Sequence, residues 1–122
     1  GDRLRDDRHP LRWIVGELVG PTRQRYQRLI RRSTVEVPAR EFHRDKYEAT
    51  AGLAGEAVLL IDDTWTTGAN AQSAAAALKA AGAGPIAAVV IGRHLNRGWR
   101  ENDRRLRGIS RPFEWQRCAL CA

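Results

Sequence analysis

The sequence has 122 residues, of which 43% are hydrophobic and 29% charged. This composition is typical of a single folded domain and excludes a disordered chain. No apolar run approaches the roughly 18 residues of a membrane-spanning helix, and residues 1–12 are too charged for a signal peptide. We therefore expect a soluble, cytoplasmic, single-domain protein over residues 1–122 with no membrane partner.

The net charge of +7 is unevenly distributed along the chain. Residues 1–44 and 93–122 each carry +5, whereas residues 45–92 carry −3, and 19 of the 21 basic residues are Arg. A nucleic-acid-binding domain usually presents its basic residues on its structured face. Because the segment with the clearest structural pattern is acidic, we do not expect a nucleic-acid partner.

The N-terminal segment, residues 1–32, is charged and predicted to be helical. Apolar residues recur at three- and four-residue spacing from His9 to Arg32, with an interruption at Gly20-Pro21. Thr22 is suited to cap a second helical segment that ends at Arg32. The weak alternation over residues 33–42 predicts an edge strand or an extended arm.

A strand, a helix and a second strand are predicted within residues 55–96. Residues 57–61 and 86–91 are apolar runs of strand length, typical of parallel strands covered on both faces. Between them, residues 62–68 read as a polar turn and residues 69–81 as a helix that Gly82 ends. This βαβ unit predicts an α/β fold in which the two strands are parallel neighbours in a sheet of three or four strands.

The C-terminal tail, residues 97–122, follows a loop that contains His94. We expect a short polar helix around residues 99–107 and no regular structure beyond it. Cys118 and Cys121 form a CxxC pair at the end of the tail. A structural zinc site needs about four ligands and no His lies at finger spacing from the pair, so we interpret both as small apolar residues.

Candidate functional groups follow the first predicted strand. Asp62 and Asp63 lie at its carboxyl end, where open parallel sheets bind their ligands. The loop from Thr66 to Asn70 consists of small and hydroxyl-bearing residues and leads into a helix N-terminus, which favours anions. Two acids that accept hydrogen bonds from hydroxyls, beside a cradle for phosphate, indicate a sugar phosphate ligand.

The run from Val58 to Asn70 resembles the phosphoribosyl pyrophosphate (PRPP) motif of type I phosphoribosyltransferases. That motif has four apolar residues, two acids, two variable positions and Thr-Thr-Gly. Further similarities point to the ComF-like branch of the family, often labelled amidophosphoribosyltransferase-like. They are the segment Gln72-Ser73-Ala74, the sequence Gly-Arg-His at residues 92–94, and Phe113, Trp115 and Cys118 in the tail.

The resemblance implies a parallel-sheet βαβ core and a site in which each residue has a role. Asp62 and Asp63 would bind the ribose hydroxyls and act as the catalytic carboxylates. The 5-phosphate would be bound by the following loop, which comprises Thr66, Thr67, Gly68, Ala69 and Asn70. Mg²⁺ would be held mainly by oxygens of PRPP, with no direct protein ligand. The implied reaction transfers the phosphoribosyl group to a nitrogen acceptor, whose identity the sequence does not show, and releases pyrophosphate. A homo-oligomer is compatible with this family.

The pyrophosphate-binding loop of the family has no counterpart upstream of Ala57. Residues 8–11 resemble the segment that follows that loop, so we expect either a chain that starts after the first strand or a trimmed fold. Either case predicts a sheet edge without a neighbour.

The alternative function is a non-catalytic basic module that binds nucleic acid or a partner protein. The four Trp residues are interpreted as core and interface anchors; for Trp65, inside the motif, gating of the sugar site is the alternative.

Overall fold

A computed structural model describes residues 8–109, 112 and 114–117. In this part of the chain, short helices precede a two-stranded hairpin and a βαβ unit, and another helix follows them. The elements, in chain order, are α1 (Pro10–Trp13) with a π-helical turn (Ile14–Leu18), α2 (Gly20–Arg23), β1 (Ile30–Arg32), β2 (Tyr47–Ala49), β3 (Val58–Trp65), α3 (Ala69–Ala80), β4 (Ile86–Arg93) and α4 (Asn102–Ile109). Phe113, Cys118 and Cys121 lie outside the described residues.

The βαβ unit is confirmed. Strands β3 and β4 are parallel neighbours, with Val58 opposite Ile86 and Asp62 opposite Val90. Helix α3 spans Ala69–Ala80 and connects them. Gly82 follows the helix with φ of +102°, and a Cβ there would lie 3.2 Å from the carbonyl carbon of Leu53. Only glycine combines this left-handed backbone with such a close approach.

Strand β3 is longer than the sequence predicts. Residues 62–65 form the last part of the strand and not a polar turn, and Trp65 pairs with Arg93 of β4. Backbone pairing does not depend on the polarity of side chains, and a carboxylate is tolerated in a strand where it reaches solvent. Asp63 and Thr64 are exposed, so this end of the strand carries polar residues without burying them.

The prediction of a second long helix in the N-terminal segment is wrong. Helix α2 ends at Arg23, and Ile30–Arg32 is a strand that pairs antiparallel with Tyr47–Ala49. Arg31 faces Glu48 across the hairpin, with 2.5 Å between Nε and Oε1. This cross-strand ion pair and the ladder are contacts between residues 15 to 19 positions apart, which local periodicity does not report.

The segment between β1 and β2, residues 33–46, is called the arm here. It holds no strand, so the alternative of an extended arm describes it better than an edge strand. The amide of His43 donates to Ser73 Oγ of α3 at 3.0 Å, and Lys46, only 1% exposed, has its Nζ 3.5 Å from the carbonyl oxygen of Glu41. Burial, with a smaller contribution from the charge of Arg32, lowers the pKa of Lys46.

Within the described residues, the buried apolar core consists of one face of α3. Leu78, 1% exposed, is its one large side chain, and the others are Ala69, Ala71, Ala74 and Ala77. Alanine lets the helix approach the backbone of β2 and β3 closely. The stability that this core contributes comes mainly from the isobutyl group of Leu78, because the four methyl groups bury much less apolar surface.

The βαβ sheet has two strands in the described part of the chain, not the three or four expected. None of its residues is buried, and Leu59, Val89 and Ile91 are each more than half exposed. Parallel strands are normally covered on both faces, whereas the described residues leave apolar surface of this sheet uncovered. Among the described residues, no helix is both long and apolar enough to cross a membrane.

Replacing Leu78 by Ala should destabilise the protein by about 2–5 kcal/mol, because a fully buried isobutyl group is lost and a cavity remains. Urea unfolding monitored by circular dichroism measures the change. Leu59→Ala is the matched control, since Leu59 is 54% exposed, and it should cost about 1 kcal/mol or less. Equal losses in the two variants would contradict the assignment of the core to α3.

Candidate functional site

The two acids of the motif occupy consecutive positions on β3 and therefore point to opposite faces of the strand. Asp62 is half-buried and Asp63 is exposed. Asp62 Oδ1 accepts a hydrogen bond from the backbone amide of Asp63 at 2.8 Å. The Asp62 carboxylate thus has one oxygen engaged by its neighbour's backbone, whereas the Asp63 side chain is open to solvent and to a ligand.

Burial raises the pKa of Asp62 above its ordinary value of 3.8. The hydrogen bond from the amide of Asp63 opposes this effect, while the adjacent Asp63 carboxyl adds to it. The charge of His9 lowers the pKa slightly. The pair therefore consists of one carboxyl that holds its proton to a higher pH than a free Asp and a second one exposed beside it.

His9 connects the N-terminal helices to this site. Its Nδ1 accepts a hydrogen bond from the amide of Leu11 at 3.3 Å and so caps α1. Its Nε2 lies 3.4 Å from Asp63 Oδ2. The Nε2 atom thus faces the Asp63 carboxylate and can donate a hydrogen bond to it. No functional role was predicted for His9, whose signal in the sequence is its position immediately before a Pro at a predicted helix start.

Gly68 begins the helix side of the site. It is buried and has φ of +84° as the residue that precedes α3. A Cβ at Gly68 would lie 2.8 Å from Cη2 and 2.9 Å from Cε2 of the Trp65 indole. The indole thus lies directly on the glycine, and both the backbone angle and the contact require the absence of a side chain.

Thr67 links the loop to the arm. Its hydroxyl accepts a hydrogen bond from the amide of Ala69 at 3.3 Å and donates to the carbonyl oxygen of Arg40 at 3.2 Å. Arg40 has φ of +65°, a left-handed conformation that non-glycine residues seldom adopt. A phosphate that bound the Thr67 hydroxyl would have to replace the Arg40 carbonyl as its partner. No sequence pattern indicates this contact, which joins residues 27 positions apart.

The remaining predicted residues fall into two groups. Thr66, Ala69 and Asn70 lie with Asp62 and Asp63 on one continuous segment from the end of β3 to the first turn of α3. His94 contributes its backbone amide, which donates to the carbonyl oxygen of Trp65 at 2.9 Å and extends the pairing of the two strands. The functional groups of the site therefore come from one strand-loop-helix segment, with His9 and Arg40 contacting it from elsewhere in the chain.

Comparisons with protein-family models, with curated proteins and with solved structures find no match. The assignment of a function therefore depends on the motif and on the geometry of the segment that carries it.

The pH dependence of stability tests the environment of Asp62. A carboxyl whose pKa is higher in the folded than in the unfolded protein makes the free energy of unfolding fall as the pH rises through these two values. Asp62→Asn keeps an acceptor for the Asp63 amide but cannot ionise. We expect its stability relative to the parent protein to increase from about pH 3 to pH 7, measured by urea unfolding at several pH values.

Glu36→Gln is the matched control, because it removes one exposed carboxyl from the arm. Its stability relative to the parent protein should change little over the same pH range. A relative stability of Asp62→Asn that stays constant or decreases with pH would show that burial does not govern the Asp62 carboxyl.

Proposed function

We propose that the carboxyl end of β3 and the start of α3 bind the ribose 5-phosphate part of PRPP, and that the protein transfers the phosphoribosyl group to a nitrogen acceptor. The observation that carries the proposal is the continuity of the segment. Asp62 and Asp63 lie in the second half of a parallel strand that ends at Trp65, and α3 begins at Ala69, behind a left-handed Gly68. This brings hydroxyl acceptors and an anion-binding helix terminus to the same end of the sheet.

The phosphate subsite is proposed at the N-terminus of α3. This helix has 12 residues, and the amides of its first turn have no acceptor within the helix. Thr67 Oγ1 takes the amide of Ala69, which leaves those of Asn70 and Ala71 to face an anion. With no side chain at Gly68, a phosphate oxygen can approach the backbone closely.

The ribose subsite is proposed at the two acids. Asp63 is exposed and accepts hydrogen bonds from sugar hydroxyls with the oxygen that His9 does not contact. During transfer, the bond from the sugar carbon to pyrophosphate breaks, a bond to the acceptor nitrogen forms, and positive charge develops at the sugar carbon. Carboxylates near that carbon stabilise the charge. Pyrophosphate leaves with the electron pair, and the acceptor nitrogen loses a proton.

In the proposal, magnesium would enter the site bound to PRPP. Mg²⁺ takes near-octahedral oxygen coordination, which the pyrophosphate and ribose oxygens would mainly supply. Asp62 and Asp63 would contribute to holding it through water or through their charge. When bound, the ion neutralises the pyrophosphate that leaves.

According to the proposal, ligand binding requires two local changes in the protein. The indole of Trp65 packs on Gly68, and the carbonyl of Arg40 takes the Thr67 hydroxyl. A 5-phosphate at the helix terminus competes with both. In the proposal, phosphate binding exchanges the neutral Thr67–Arg40 hydrogen bond for a charge-assisted one, which is stronger.

Titration calorimetry with PRPP at fixed Mg²⁺ tests the proposal with two variants. Gly68→Val should abolish binding, because the added side chain meets the indole of Trp65 and fills the space for phosphate. Asp62→Asn with Asp63→Asn should weaken binding by about 1–3 kcal/mol per lost charge-assisted hydrogen bond. Ribose 5-phosphate should bind more weakly than PRPP but show the same dependence on both variants.

Glu17→Gln with Glu36→Gln is the charge-matched control, since both carboxyls are exposed and lie outside the segment. It should bind PRPP as the parent protein does. The proposal fails if PRPP does not bind the parent protein, or if it binds the Gly68 and Asp variants with unchanged affinity.

A further inference from the structure

His9 is an unusual residue to begin a helix. It is the N-cap of α1, where its extended backbone, with φ of −63° and ψ of 126°, precedes Pro10. A residue before proline prefers this conformation, and the Nδ1 atom of His9 accepts the amide of Leu11. Ser, Thr, Asp and Asn are the side chains that cap helices best. Capping alone therefore does not account for an imidazole at this position.

The imidazole of His9 offers a second nitrogen that the common capping side chains lack. Its Nδ1 faces the helix, whereas Nε2 belongs to another corner of the rigid ring and lies 3.4 Å from Asp63 Oδ2. Because the cap holds the ring in one rotamer, it also fixes the direction in which Nε2 points. One side chain thus begins α1 and contacts the candidate sugar site.

The backbone of Asp63 is held by the strand, but β3 does not hold its side chain. The neighbouring residues Asp62 and Thr64 both pair with β4, and the Asp63 amide donates to the Asp62 carboxylate. The Asp63 side chain is half-exposed, and rotation about its torsions would move both carboxylate oxygens. The contact of Oδ2 with His9 favours one orientation and leaves Oδ1 for a ligand.

We propose that His9 is a positioning residue of the ribose subsite, which holds the Asp63 carboxylate in the orientation that accepts a ribose hydroxyl. The inference rests on the proposed function and gives α1 a part in it. An exposed aspartate loses side-chain entropy when it binds a hydroxyl. With one oxygen already held, part of this loss precedes the arrival of the ligand, which strengthens binding. His9 acts through Asp63 and does not itself touch the sugar.

Two substitutions separate the helix cap from the contact with Asp63. His9→Asn keeps a good capping acceptor near the Leu11 amide but has no atom at the position of Nε2. His9→Gln keeps an amide nitrogen that can reach Asp63, but glutamine is a poor cap. If His9 were only a cap, His9→Asn would behave as the parent protein does and His9→Gln would not.

Ribose 5-phosphate is the probe, and inorganic phosphate, which has no sugar hydroxyl, is the matched ligand. NMR titration of the full chain measures both affinities. His9→Asn should weaken ribose 5-phosphate about threefold to tenfold, less than the loss of a whole hydrogen bond to a charged group. It should leave the affinity for inorganic phosphate unchanged. His9→Gln should restore most of the affinity for ribose 5-phosphate.

His43→Asn is the matched control, because His43 Nδ1 likewise accepts the amide two residues further on, that of Asp45, at 3.1 Å. It should bind ribose 5-phosphate as the parent protein does. A double-mutant cycle tests whether the effect of His9 passes through Asp63. In the Asp63→Ala background, His9→Asn should cause no further loss of affinity.

The free protein gives an independent spectroscopic signature. The carbon resonance of the Asp63 carboxyl should shift in His9→Asn and return toward its parent position in His9→Gln. A His9→Asn variant that binds ribose 5-phosphate as the parent protein does would overturn the role of His9 and leave the proposed function standing. An equal loss with and without the Asp63 carboxyl would also overturn it. If neither PRPP nor ribose 5-phosphate binds the parent protein, the proposed function fails and the role of His9 in it fails as well.

Discussion

The parallel pairing of β3 with β4 is the constraint that places every candidate functional group. Two parallel strands cannot be joined by a tight turn, so the chain must leave the end of β3 and return through α3 to the start of β4. The residues at this exit are therefore the end of a strand, a short loop and the start of a helix. Asp62, Asp63 and the first amides of α3 meet at one end of the sheet because the connection requires it.

Much of this arrangement was predictable because its determinants are local. The βαβ unit and the order of the site residues were predicted from apolar runs of strand length, an alanine-rich helix and Gly82. Each of these features can be recognised within a few residues of sequence. The sequence predicts an end of β3 that is too early, because Asp62 and Asp63 are typical of turns. Their backbone pairing with β4, where Asp62 lies opposite Val90, is not visible in the sequence. Sequence patterns indicate the backbone conformation that each side chain prefers. The pairing of β3 with β4, in contrast, depends on two separate segments of the chain.

The contacts that were missed are those that connect distant segments. His9 reaches Asp63 across 54 positions, and the carbonyl of Arg40 reaches the hydroxyl of Thr67 across 27. Both involve polar atoms whose type is common on any surface, so nothing in the residues themselves marks the partner. Together they show that the N-terminal helices and the arm close around the motif, and that the motif alone does not describe the site.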